Sequence, residues 1–167
     1  MLVLLVPLAG HAGCDEAILW IDPPISLEGG AGGPASLIIG QRDPEEADAF
    51  VDLATDPALR VVHGLQGGTW TMPTLRIDGP PPSVEVDCRI TTIGGEVVGV
   101  VATQARPSPL GDGRVDVPWL PIPVRHAPPR TTAPIDDLDG AGATITCEVA
   151  AGGGRARATY DVTLDVE

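Results

Sequence analysis

The sequence predicts an all-β protein, an antiparallel β-sandwich of seven to nine short strands, and three observations carry that prediction. Two stretches, Val84–Ile90 and Ala143–Val149, alternate strictly between apolar and polar residues, which is the period of a half-buried strand. Each of them carries a cysteine, Cys88 or Cys147, in its apolar phase. Around them lie further short apolar runs separated by Gly and Pro turns, and no run has a convincing helical period.

Within the first of these stretches Val84, Val86, Cys88 and Ile90 share the inward face, and Glu85, Asp87 and Arg89 the outward one. In the second, Ala143, Ile145, Cys147 and Val149 face inward. A Cys88–Cys147 bond would then be an intersheet disulfide, a staple across the interior. Closing a loop of roughly 60 residues in this way is worth about 4 kcal/mol on the chain-entropy estimate.

Taken in order, Met1–Gly13 is a short apolar run ending in small residues. It is too short to span a bilayer and fits the apolar and cleavage regions of an export signal, although a positively charged start is missing. Residues 14–34 are acidic and then rich in Pro and Gly, which suits a flexible tether, with Ile18–Ile21 as its one apolar patch. A single sandwich domain is expected over 35–167, since a chain of this length buries one core.

Ser36–Gly40, Phe50–Leu53 and Arg60–His63 read as the first strands, and Asp43–Asp48 as a loop. Thr69–Ile77 reads as one strand whose apolar phase slips near Pro73, as a bulge would make it do. Glu96–Thr103 is apolar in both phases, which predicts cover on both faces. Arg114–Trp119 alternates and then meets Pro121 and Pro123, which points to an edge. His126–Asp139 is a long connection, and Thr159–Glu167 the last strand, with Tyr160, Val162, Leu164 and Val166 inward. Paired cysteines in a sandwich fit an Ig-like or fibronectin-like topology. The tryptophan and tyrosine positions of antibody-type domains are not matched.

Composition narrows the partners. The net charge is −13, and the ten basic residues are all arginines, scattered along the chain, so a nucleic-acid partner is excluded as a reading. Asparagine is absent, so no N-linked glycosylation acceptor exists.

Ala12-Gly13-Cys14 resembles the end of the lipobox of bacterial lipoproteins, in which the cysteine takes the lipid; His11 stands where an aliphatic residue is usual. Cleavage after Ala12 by signal peptidase I is the rival reading. Three cysteines with Cys88 paired to Cys147 leave Cys14 over, and thioether lipidation gives that odd cysteine a role. The expected location is therefore exported and lipid-anchored to a bacterial membrane, facing the periplasm or the cell surface.

Phe50–Leu53 followed by Val61–Trp70, with its Gly64-Leu65-Gln66-Gly67-Gly68-Thr69-Trp70 segment, resembles a family of uncharacterised exported lipoproteins of myxobacteria-like bacteria. Members carry a Gly-Pro-Gln-Gly-Gly segment before an aromatic–His pair, and Leu65 and Thr69-Trp70 depart from it. The resemblance implies a lipobox and an Ig-like sandwich body, and no particular activity.

Templates for catalysis fail: there is no G-x-S-x-G elbow, H-E-x-x-H, P-loop or C-x-x-C. Asp137-x-Asp139-Gly140 echoes half of a calcium loop but lacks the remaining oxygen ligands in register, so an acidic turn is the reading adopted and Asp137 and Asp139 stay weak calcium candidates. The two histidines beyond the leader, His63 and His126, could join a carboxylate on zinc, a less economical reading than ordinary hydrogen-bonded side chains. No cofactor is called for.

In Gly64–Trp70, Gln66 and Trp70 form a possible binding loop, against the plainer reading that the glycines turn the chain and Trp70 fills the core. Two functions follow. The first is a non-catalytic envelope lipoprotein whose Ig-like domain binds another envelope protein or plays a structural part. The alternative is a secreted metal-assisted hydrolase, or a subunit of one, using Asp136, Asp137, Asp139 and His126, which would have to converge in one pocket.

Overall fold

The computed structural model describes residues 33–43, 46, 49–65, 67–79 and 82–167. The leader over 1–13, Cys14, most of the tether, and Gln66 lie outside the described residues. In chain order the strands are β1 (Ser36–Arg42), β2 (Phe50–Asp52), β3 (Ala58–His63), β4 (Thr69–Thr71), β5 (Thr74–Asp78) and β6 (Val84–Thr92), followed by β7 (Val97–Ala105), β8 (Ser108–Pro109), β9 (Arg114–Val117), β10 (Ile122–Pro123), β11 (Gly142–Ala151) and β12 (Gly154–Val166). One 3₁₀ turn, Ile135–Leu138, interrupts the long connection before β11.

The strands form two sheets, β2-β1-β5-β9-β8 and β10-β4-β3-β12-β11-β6-β7, packed as a sandwich. Neighbours are antiparallel except β3 and β12, which run parallel. Leu37, Ile39, Leu75, Ile77, Val115 and Val117 from the first sheet meet Leu59, Val61, Val86, Ile90, Ile145 and Leu164 from the second, all of them buried. The strict alternation in β6 and β11 is what fills this interior, because period two sends every second side chain to the same face.

The disulfide joins Cys88 to Cys147, but it does not cross the interior between sheets. Cys88 and Cys147 stand directly opposite each other on the neighbouring strands β6 and β11 of a single sheet, with their Cα atoms 4.1 Å apart. Two inward cysteines satisfy an intersheet bond and a cross-strand bond equally well by sequence pattern, and the pairing of β6 with β11 decides for the second.

The phase slip near Pro73 marks a change of sheet rather than a bulge. Thr69–Thr71 is β4 of the seven-stranded sheet, and Thr74–Asp78 is β5 of the five-stranded one. Proline lacks the N–H that a continuing ladder needs, so the chain leaves one sheet there and enters the other. Trp70 accordingly does not fill the core. It is half-buried on the outer face, while Thr71 beside it points inward and is fully buried.

Glu96–Thr103 is likewise not covered on both faces. The register of β6 against β7 shifts between Ile90 and Thr91, which places Val98 in the core out of phase with the rest. Beyond that bulge β7 alternates normally, and Val100 is 45% exposed. The expected edge at Arg114–Trp119 is also displaced, since β9 lies between β5 and the two-residue β8.

On the outer face of the five-stranded sheet, Asp116 has no solvent exposure and is held by two arginines. Arg76 grips it through Nε and Nη2 at 2.9 and 3.1 Å, and Arg42 donates at 2.9 Å. The Phe50 ring lies 3.9 Å from the Arg76 guanidinium and covers the cluster. A carboxylate this deeply desolvated is tolerable only because charge-assisted hydrogen bonds replace its water.

Candidate functional site: an open seam in the larger sheet

The seven-stranded sheet curls until its two ends touch. Gly99 of β7 bridges to Val124, just past β10, and the Arg125 N–H donates to the Val98 carbonyl at 2.8 Å. A Cβ on residue 99 would stand 2.9 Å from Ile90 and 3.2 Å from Ile122, so glycine is what permits this approach. The contact then stops, and the rest of β7 has no strand partner on that side among the described residues.

The ladder itself explains why. Thr92 N–H donates to the Glu96 carbonyl and Ile93 N–H to the Gly142 carbonyl, which fixes even residues of β6 as bonding toward β7 and odd ones toward β11. The short Cα separation at Cys88–Cys147 agrees, because a close pair in an antiparallel ladder is one that exchanges no backbone bonds. Val101 and Thr103, opposite Cys88 and Val86, therefore bond to β6, and Val100, Ala102 and Gln104 turn their N–H and C=O groups to the free side. Continuing the Gly99–Val124 register puts Pro123 opposite Val100 and Pro121 opposite Ala102. Neither proline has an N–H to give, so the sheet cannot zip shut.

A row of side chains crosses the outer surface at this point. Arg89 pairs with Val100, Val100 continues to Pro123, Pro123 pairs with Trp70, and Trp70 pairs with Val62. Their neighbours Cys88, Ile122 and Val61 are buried in the core, so the row faces outward. Trp70 folds over the glycine loop: a Cβ on Gly68 would come within 2.6 Å of its Nε1. Gly64 and Gly68 close that loop with a 2.7 Å backbone hydrogen bond, and Gly67 has φ +86°, a conformation that glycine adopts without strain.

Beside the row an open groove of about 390 Å³ is lined by Val97, Val100, Pro123, Arg125, Pro128 and Thr131, among others. His126 anchors its far wall. The ring is 2% exposed, with Nδ1 3.1 Å from Glu96 Oε1 and Nε2 3.1 Å from the Pro134 carbonyl. The carboxylate and the carbonyl fix the ring plane from its two sides. Glu96 also accepts the Ala127 N–H at 2.8 Å, and that bond, followed by His126, holds its carboxyl below the ordinary glutamate range.

The acidic residues singled out from the sequence do not converge with His126. Asp136 lies 3.3 Å from His63 at the surface, and Asp137 accepts from Arg130 at 3.3 Å. Asp139 accepts the Val166 N–H at 3.1 Å. Among the described residues no group of three or more His, Cys, Asp or Glu side chains is placed to hold a metal ion.

Trp70 thus belongs to the site, though by a different route from the loop reading that named it. Val100, Arg89 and Arg125 were missed. Their signal in the sequence is the uncharged run Val97–Ala105 and the Pro121, Pro123 pair, which become meaningful only once β7 and β10 are known to be neighbours. No protein-family model and no curated protein matches this chain.

Proposed function

We propose that this chain is a non-catalytic lipoprotein of the bacterial cell envelope, anchored through Cys14, whose sandwich domain binds another envelope protein. The observation that carries the reading is the Cys88–Cys147 bond. A disulfide belongs to an oxidising compartment, and this one uses two of the three cysteines, leaving Cys14 beside its lipobox-like residues. The outward apolar row through Trp70, Pro123 and Val100 supports a binding role, since it lies beside an open groove rather than under another element.

The test is metabolic labelling with a tagged fatty acid in a bacterial host. The wild-type chain incorporates label and sediments with membranes, whereas Cys14→Ala does neither. A product cleaved after Ala12 that carries no label would overturn the anchor and leave a secreted domain in its place.

A further inference from the structure

We infer that the free edge of β7 is a strand-addition site for an extended segment of another protein, one that presents an apolar side chain next to an acidic side chain. The inference deepens the proposed binding role and rests on it. Three independent features meet at this edge.

The first is unused backbone bonding capacity. The Val100 carbonyl, both polar groups of Ala102 and the Gln104 N–H point away from β6 and have no partner among the described residues, and the Gln104 carbonyl accepts only the exposed Thr103 hydroxyl, at 3.3 Å. An added strand supplies the donors that Pro121 and Pro123 cannot.

The second is the lack of protection. Other free edges are blunted: β2 and β8 are three and two residues long. The stretch of β12 ahead of its pairing with β3 is also unpaired, but it carries Arg155, Arg157 and Asp161. Charged outward residues and short strands are how folded proteins keep edges from pairing. From Val97 to Ala105, β7 has no charge at all, and Val100, Ala102 and Gln104 are exposed.

The third is charge. In a chain of net charge −13, Arg89 flanks the edge on one side and Arg125 lines the groove on the other. Neither makes an ion pair among the described residues, as is also true of Arg60, Arg106 and Arg157, whereas Arg42, Arg76, Arg114, Arg130 and Arg155 all do. An acidic side chain on the incoming strand completes them, and an apolar neighbour on it fills the groove beside Val100 and Pro123.

The experiment selects phage-displayed random heptapeptides on the full chain and titrates the best of them by fluorescence anisotropy. The selected peptides should alternate apolar residues and contain Asp or Glu. Arg125→Glu should weaken them about tenfold and Arg157→Glu should leave them unchanged. Methylating the peptide amides one at a time should abolish binding at every second position and spare those between, the signature of a strand bonded along one side. This scan alters only the peptide, so it is independent of how any protein variant folds. Selection of nothing, of basic peptides, or of peptides without the period-two methylation pattern would overturn the site. So would sedimentation showing that the free chain dimerises through this edge, which would assign the edge to a second copy. A chain that is never lipidated fails the envelope reading while leaving this site testable on its own terms, so the two failures are distinguishable.

Discussion

Asp116 shows how much a single carboxylate can organise. Its two oxygens hold Arg42 and Arg76 from two different strands, and the Phe50 ring lies over the Arg76 guanidinium. Asp116→Asn removes the counter-charge and leaves two guanidinium groups, 13% and 16% exposed, facing each other. Breaking a buried pair in this way costs about 3 kcal/mol, which a urea denaturation midpoint will report.

Glu96 is the residue that makes the groove's far wall depend on pH. Its carboxyl is held below the ordinary range by the Ala127 N–H and by His126, so it favours the folded state while ionised. That contribution is complete above the ordinary glutamate pKa and is lost as pH falls through the lowered one. Calorimetry of Glu96→Gln should therefore show a lower melting temperature than wild type at pH 7 and a gap that closes in strongly acidic solution. A constant gap across that range would mean that the carboxylate's charge is not what holds the wall.

Among elements, β7 is the one whose two sides differ most. From Gly99 onward its odd residues bond to β6, whereas the N–H groups of Ala102 and Gln104 meet no partner among the described residues. Proline at position 101 would delete a ladder bond, a loss of about 1 kcal/mol before any strain is added, whereas proline at 102 removes an N–H that has no partner among the described residues. Val101→Pro should therefore unfold at markedly lower urea than Ala102→Pro, and equal losses would place β7 inside a closed sheet.

β7 is also the element least legible in the sequence. Its apolar residues in both phases suggested cover on two faces, but a bulge opposite Ile90 and Thr91 produces the same pattern with only one face covered. The Thr69–Ile77 run shows the same limit, since a phase slip looks alike whether the chain bulges or changes sheet. In both cases the ambiguity is local and its resolution is long-range. By contrast β6, β11 and β12 were readable because strict alternation over seven or more residues leaves one inward face.

At the scale of the whole molecule, the sandwich and the identity of the bonded cysteines followed from pattern alone, while the pairing of strands did not. Four of the twelve strands among the described residues, β2, β4, β8 and β10, are only two or three residues long, and no periodicity can be read over so few positions. Those short strands nevertheless decide the site, since β10 and β4 carry Pro123 and Trp70 up to the edge of β7. The acidic turn that drew attention in the sequence is instead spread over separate partners, His63, Arg130 and the Val166 N–H. Residue type marked it as a possible centre, but geometry disperses it.

The architecture reduces to a sheet that curls until its ends meet at Gly99 and is then held open by two prolines. Amide hydrogen exchange along β7, resolved residue by residue in the free chain, tests this most directly. Val101 and Thr103 should exchange slowly while Ala102 and Gln104 exchange at nearly the rate of an unstructured peptide. Protection of Ala102 and Gln104 equal to that of their neighbours would mean that the seam is closed, and the site described here would not exist.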